Sequence, residues 1–119
     1  VGTGYFGAGK TIDGVRYFDE DAFIKSASLD SVKMIEIKLS QGAKPGHGGI
    51  LPASKNTEEI SKIRNVKPHT AVHSPPSHSS FSSASEMMHF IKLLRDKSGG
   101  KPVGFNVIFT SSIYCIIWL

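Results

Sequence analysis

A single cysteine, Cys115, stands in the 119 residues of this chain. The chain therefore closes no internal disulfide and cannot by itself supply the thiolates of an iron–sulfur cluster, and the scarcity favours a reducing, cytoplasmic setting. No apolar run reaches the length of about 18 residues that a membrane helix requires, and no basic, apolar and small-residue sequence of the signal-peptide kind opens the chain. The net charge of +4 is mild, aromatic residues make up 9%, and lysines and arginines are interspersed with acids instead of forming a block. That pattern argues against nucleic acid as a partner. His69, His73 and His78 have spacings a metal could use, but no nearby cysteine or carboxylate completes a ligand set, so no metal site is expected.

Glycine, by contrast, is concentrated. Residues 41–49, Gln-Gly-Ala-Lys-Pro-Gly-His-Gly-Gly, hold four glycines and Lys44 in nine positions, directly after the alternating, branched run Val32 to Leu39 that predicts a strand. Glycine allows a tight turn with backbone N–H groups near a ligand, and a lysine there offers a point charge to a carboxylate or phosphate. The same stretch could serve as a plain connection. A second glycine-rich string, residues 4–11, satisfies the Walker A spacing. Only three residues precede it, and Ile12-Asp13-Gly14-Val15 turns where an amphipathic helix should begin, so nucleotide binding is not expected.

Further along, the spacing predicts a short helix over 18–27 after the Asp13-Gly14 turn. A second is predicted over 57–64, with Thr57 as N-cap, Glu58 and Glu59 in the first turn, Ile60 and Ile63 on one face and Arg64 at its end. Residues 70–73 are a short strand that Ser74-Pro75-Pro76 must break. A longer helix opens at Ser85, presents Met87, Met88, Phe90, Ile91, Leu93 and Leu94 as a broad apolar face to a core, and stops at Ser98-Gly99-Gly100. Residues 103–109 are a third strand. Strands alternating with helices in units of about thirty residues predict an α/β fold with parallel pairing and right-handed crossovers. In such folds ligands gather at the C-terminal ends of the strands, so loops 41–49 and 74–82 should open onto one face.

Ile35 to Gly49, Ile-Glu-Ile-Lys-Leu-Ser-Gln-Gly-Ala-Lys-Pro-Gly-His-Gly-Gly, resembles the glutamate synthase family, especially its shorter FMN-binding members. Gly4-Tyr5-Phe6-Gly7, Leu51-Pro52-Ala53, Ser74-Pro75-Pro76 with His78-Ser79, and Ser98 through Phe105 agree with the same family in the same order. The resemblance implies about three βα units of a partial (β/α)8 TIM barrel, spanning residues 1–107, with 108–119 an apolar tail outside the family pattern. A complete barrel takes about 250 residues, so a truncated chain is expected. By carry-over, Gln41 stands beside FMN, while Lys44, Arg64 and Ser82 contact 2-oxoglutarate. The implied reaction is oxidoreductive: ammonia and 2-oxoglutarate form an imine that takes hydride from reduced FMN to give glutamate. The large enzymes also carry an iron–sulfur cluster, whose cysteine ligands lie beyond the part represented here. The electron donor is not readable.

Three positions depart from the family pattern. The large enzymes have glutamate at His47 and glutamine at Ile50, the short members share the histidine, and a lysine under the flavin is replaced by Asn106. Two other possibilities stay open on sequence alone: a non-catalytic remnant, or a binding module that uses the serine-rich stretch 74–85 as a phosphorylated loop without flavin.

Overall fold

The computed structural model describes residues 1–39, 47–108 and 114–118, with the side chains of 107, 108 and 114–118 left aside. The chain opens with a hairpin of β1 (Gly9–Ile12) and β2 (Val15–Phe18), paired antiparallel from Gly9↔Phe18 to Ile12↔Val15. The two residues between them, Asp13 and Gly14, have φ of 49° and 80°. Positive φ at both positions is the twist-matched turn of tight hairpins, which an aspartate followed by glycine adopts at low cost. Gly9, Lys10 and Thr11 of the Walker-like string thus lie in a strand, where a phosphate loop would need a helix.

α1 (Glu20–Ala27) starts two residues later than its apolar pattern because Asp19 is its cap, accepting from the Ala22 amide at 3.1 Å. Its buried residues, Phe23 and Ala27, are spaced i, i+4 on one face. β3 (Ile35–Lys38) buries Ile35 and Ile37 and turns Glu36 and Lys38 to the opposite face, the period-two alternation of a strand. β4 (Ile50–Leu51) and a 3-10 turn (Ala53–Lys55) lead to α2 (Glu58–Arg64), whose amide at Ile60 bonds to the Thr57 hydroxyl at 3.3 Å as the cap pattern predicts. The inward residue of α2 is Ser61, while Ile63 is 67% exposed, so the expected Ile60–Ile63 face is not the packed one.

β5 (Val72–His73) corrects one expectation. It pairs antiparallel with β4, through Ile50↔His73 and Leu51↔Val72, and takes no place in the parallel array. Parallel pairing runs instead between β3 and β6 (Val103–Ile108), from Ile35↔Val103 to Lys38↔Asn106. The chain between them contains α3 (Ala84–Lys97), capped by Ser83 through the Glu86 amide and packed inward by Phe90, Ile91 and Leu94. β7 (Tyr114–Trp118) closes the three-stranded sheet in the order β3-β6-β7, antiparallel to β6. The core gathers Tyr5, Ala8, Phe23, Ala27, Ile35, Ile37, Phe90, Ile91, Leu94 and Val103 between the sheet and the helices. The fold is mixed α/β. Among the described residues no helix is long and apolar enough to cross a membrane.

Candidate functional site

Arg16, on β2, is the buried residue that organises the site, only 7% exposed. Its Nε donates to the Gly4 carbonyl at 3.0 Å, Nη1 donates to the Asn65 carbonyl and the Thr11 hydroxyl at 3.0 Å each, and Nη2 reaches the carbonyls of Tyr5 and Arg64 at 3.2 and 3.4 Å. The carbonyls of Arg64 and Asn65 lie at the end of α2, where intrahelical donors run out. A planar guanidinium with five donors can take several such carbonyls at once. The Gly7 amide adds a bond to the Arg64 carbonyl at 3.3 Å, and the Asn65 side-chain amide donates to the Gly9 carbonyl at 2.9 Å. The end of α2 is thereby fastened to the turn at residues 4–9.

On that anchored helix end the guanidinium of Arg64 lies 4.8 Å from the centre of the Phe6 ring. Stacking on the aromatic face restrains a long side chain that would otherwise sample solvent. Arg64 and Phe6 line a cavity of about 660 Å³ together with Gly2, Gly4, Glu36, Lys38, His47, Gly49 and Ser74–Pro76. Both loops picked out from the sequence therefore reach one cavity, through His47 and Gly49 on one side and Ser74 to Pro76 on the other. Their approach is close: the Gly49 carbonyl accepts from the Ser74 amide at 2.8 Å, and a Cβ on Gly48 would lie 1.6 Å from the Ser74 carbonyl oxygen. A Cβ on Gly4 would stand 2.9 Å from the Phe6 ring, which would have to shift to admit it.

Of the four residues chosen from the sequence, Arg64 is at the cavity. Gln41 and Lys44 lie outside the described residues. Ser82 is exposed and lines a separate depression with His78, Phe81 and Met87, where its hydroxyl donates to the Glu86 carboxylate at 2.8 Å. Cavity residues that escaped the sequence reading include Glu36, Lys38 and Phe6. Strand alternation carried the signal for Glu36, since buried Ile35 and Ile37 must turn it to the other face.

His78 fixes the second loop. It is 6% exposed, and its Nε2 donates to the Lys38 carbonyl at 2.9 Å while Nδ1 faces the Tyr5 hydroxyl at 3.2 Å. Its ring stacks on Phe81 with centroids 4.6 Å apart. Burial holds its pKa below the ordinary 6.5, outweighing the Lys38 carbonyl, so the ring is neutral near pH 7. Among the described residues no three histidine, cysteine or acidic side chains converge as metal ligands.

The family model described as the conserved region in glutamate synthase matches residues 1–115. The chain belongs to the glutamate synthase family. It is 40% identical over 108 residues to the glutamate synthase large subunit-like protein YerD of Bacillus subtilis, a match covering 91% of this chain and 20% of that protein. It is 43% identical over 85 residues to the chloroplastic ferredoxin-dependent glutamate synthase of Oryza sativa, covering 71% of this chain and 5% of the relative. With the NADH glutamate synthase of Saccharomyces cerevisiae it shares 36% over 90 residues, 76% of this chain and 4% of the relative. The chain thus spans a fifth or less of the length of these glutamate synthase relatives.

Proposed function

We propose that the cavity beside Arg64 binds 2-oxoglutarate next to FMN, and that the chain is part of a glutamate synthase-like oxidoreductase that reductively aminates 2-oxoglutarate to glutamate. One observation carries this: a guanidinium restrained by Phe6 on an anchored helix end lines the same cavity as the close-packed return of the glycine-rich loop. A dicarboxylate needs two separately mounted cations, and an arginine offers one of its carboxylates a bidentate fork. Lys44 is proposed as the second cation, and Gln41 as the residue beside the flavin. Ser82 is proposed to join the substrate on exchanging its Glu86 partner. The parallel pair of β3 and β6 with α3 between them in sequence supports the further proposal that these elements belong to a (β/α)8 barrel.

The residues present suit a flavin. A cavity of about 660 Å³ is within the usual range of cofactor sites, and its walls combine apolar Phe6, Ile50, Leu51, Pro75 and Pro76 with the charged Glu36, Lys38 and Arg64. When bound, FMN supplies the hydride; the chain's own residues bind the carboxylates, orient the keto carbon and exclude water.

The test is calorimetric titration of the full chain with 2-oxoglutarate and fluorescence titration with FMN, on wild type and Arg64→Ala. The expected result is saturable quenching of FMN and a loss of about 10- to 100-fold in 2-oxoglutarate affinity in the variant, the worth of a charge-assisted hydrogen bond pair. Absence of FMN binding, or an affinity indifferent to Arg64, overturns the proposal.

A further inference from the structure

We infer that Glu36 is the nitrogen-recognising group of this cavity and makes it prefer a dicarboxylate that carries an α-nitrogen donor over a plain dicarboxylate; the inference rests on the ligand class proposed above. Glu36 and Lys38 lie on the same face of β3, and both line the cavity that Arg64 also lines. The Glu36 carboxylate is oriented from the neighbouring strand, where the Asn106 side-chain amide donates to its Oε1 at 2.8 Å. Asn106 is neutral, so this bond directs the carboxylate without cancelling its charge. It occupies one of two oxygens; a carboxylate has about four acceptor positions in all.

The charges around the cavity are therefore of both signs. Arg64 and Lys38 are cationic, and Glu36 is the single anionic lining residue among those described. A diacid without a nitrogen donor can reach the cations but leaves the free oxygen of Glu36 without a partner. A ligand bearing an ammonium or an iminium N–H beside its carboxylate satisfies both signs, because the nitrogen can donate to Glu36 while the carboxylates reach the cations. Half-burial of Glu36 on a strand face strengthens the discrimination relative to a solvated surface carboxylate.

Binding of L-glutamate, glutarate and 2-oxoglutarate to the full chain, measured by calorimetry on wild type, Glu36→Gln and Arg64→Ala, separates the possibilities. Wild type should bind L-glutamate about tenfold more tightly than glutarate, which differs by the ammonium alone. Glu36→Gln should erase that preference while leaving or improving the affinity for 2-oxoglutarate. The glutarate comparison needs no variant and stands if Glu36→Gln fails to fold. Equal binding of glutamate and glutarate by wild type, with all affinities lowered by Arg64→Ala, overturns the role of Glu36 and leaves the dicarboxylate site standing. No binding of any of the three overturns both.

Discussion

The Tyr5 hydroxyl and His78 Nδ1 meet at 3.2 Å across 73 positions of sequence, and the contact joins the first turn of the chain to the serine-rich loop. Ser80 completes it: its amide donates to the Tyr5 oxygen at 3.1 Å, and its hydroxyl lies 2.9 Å from the same oxygen. With His78 donating from Nε2 to the Lys38 carbonyl, a neutral ring leaves Nδ1 free to accept from Tyr5, and every polar atom of the group is partnered. The residues of loop 74–82 that line the cavity are thereby tied to the end of β3.

Stability should fall below neutrality through this histidine. Burial keeps the folded pKa of His78 under its ordinary 6.5, so the unfolded chain binds the proton more readily. The stabilisation is fully present above pH 6.5 and is lost as pH falls from there through the lower folded value. Thermal melts of wild type and His78→Gln between pH 8 and 5 check this: the difference between the two proteins should be greatest at high pH and shrink on acidification. A pH-independent difference contradicts it.

Arg16→Met should cost about 3 kcal/mol, because several carbonyls that Arg16 satisfies lose their donor together. Arg16→Lys should recover only a part, since an ammonium cannot reach carbonyls of both the 4–5 turn and the end of α2 from one position. Denaturant unfolding reads both values. A near-neutral Arg16→Lys would show that the charge, rather than the fork, is what matters.

Local signals in the sequence were strong where chemistry is local. Thr57 as cap of α2, the inward Phe90, Ile91 and Leu94 of α3 and the alternation of β3 all appear as residue patterns. The hairpin of β1 and β2 was signalled by Asp13-Gly14 between Ile12 and Val15, yet its strands are mostly exposed and lack a buried alternation to announce them. The partner of β5 could not be read, because a two-residue strand carries no register and its pairing with Ile50 and Leu51 depends on a loop closing across 20 positions. Arg64 was found through family resemblance, while the residue that fastens its helix end, Arg16, lies 48 positions upstream and has the same local appearance as a solvated strand arginine.

Gly48→Ala should disrupt the junction between the two loops. Its Cβ would stand 1.6 Å from the Ser74 carbonyl oxygen and 2.8 Å from the carbonyl carbon, main-chain atoms that cannot swing aside as a side chain can. The expected cost is about 3 kcal/mol, at the upper end for overpacking. Hydrogen exchange localises the effect: the Ser74 amide, bonded to Gly49 at 2.8 Å, should lose protection first. Unchanged protection at Ser74 would mean that the loop moves as a unit to accept the methyl.

Phe6→Leu isolates the restraint on Arg64 from its charge. Leucine keeps an apolar contact but removes the π face that the guanidinium meets at 4.8 Å, a loss of about 0.5–1 kcal/mol for a half-exposed pair. If that energy serves to hold the fork toward the cavity, 2-oxoglutarate affinity should fall by about two- to fivefold, with little change in unfolding free energy beyond the packing difference. The Arg64→Lys background provides the control, since an ammonium on a flexible stem gains less from the ring's orientation, and Phe6→Leu should then have a smaller effect on binding. Equal effects of Phe6→Leu in the two backgrounds would show that the ring shapes the cavity wall and does not position the cation.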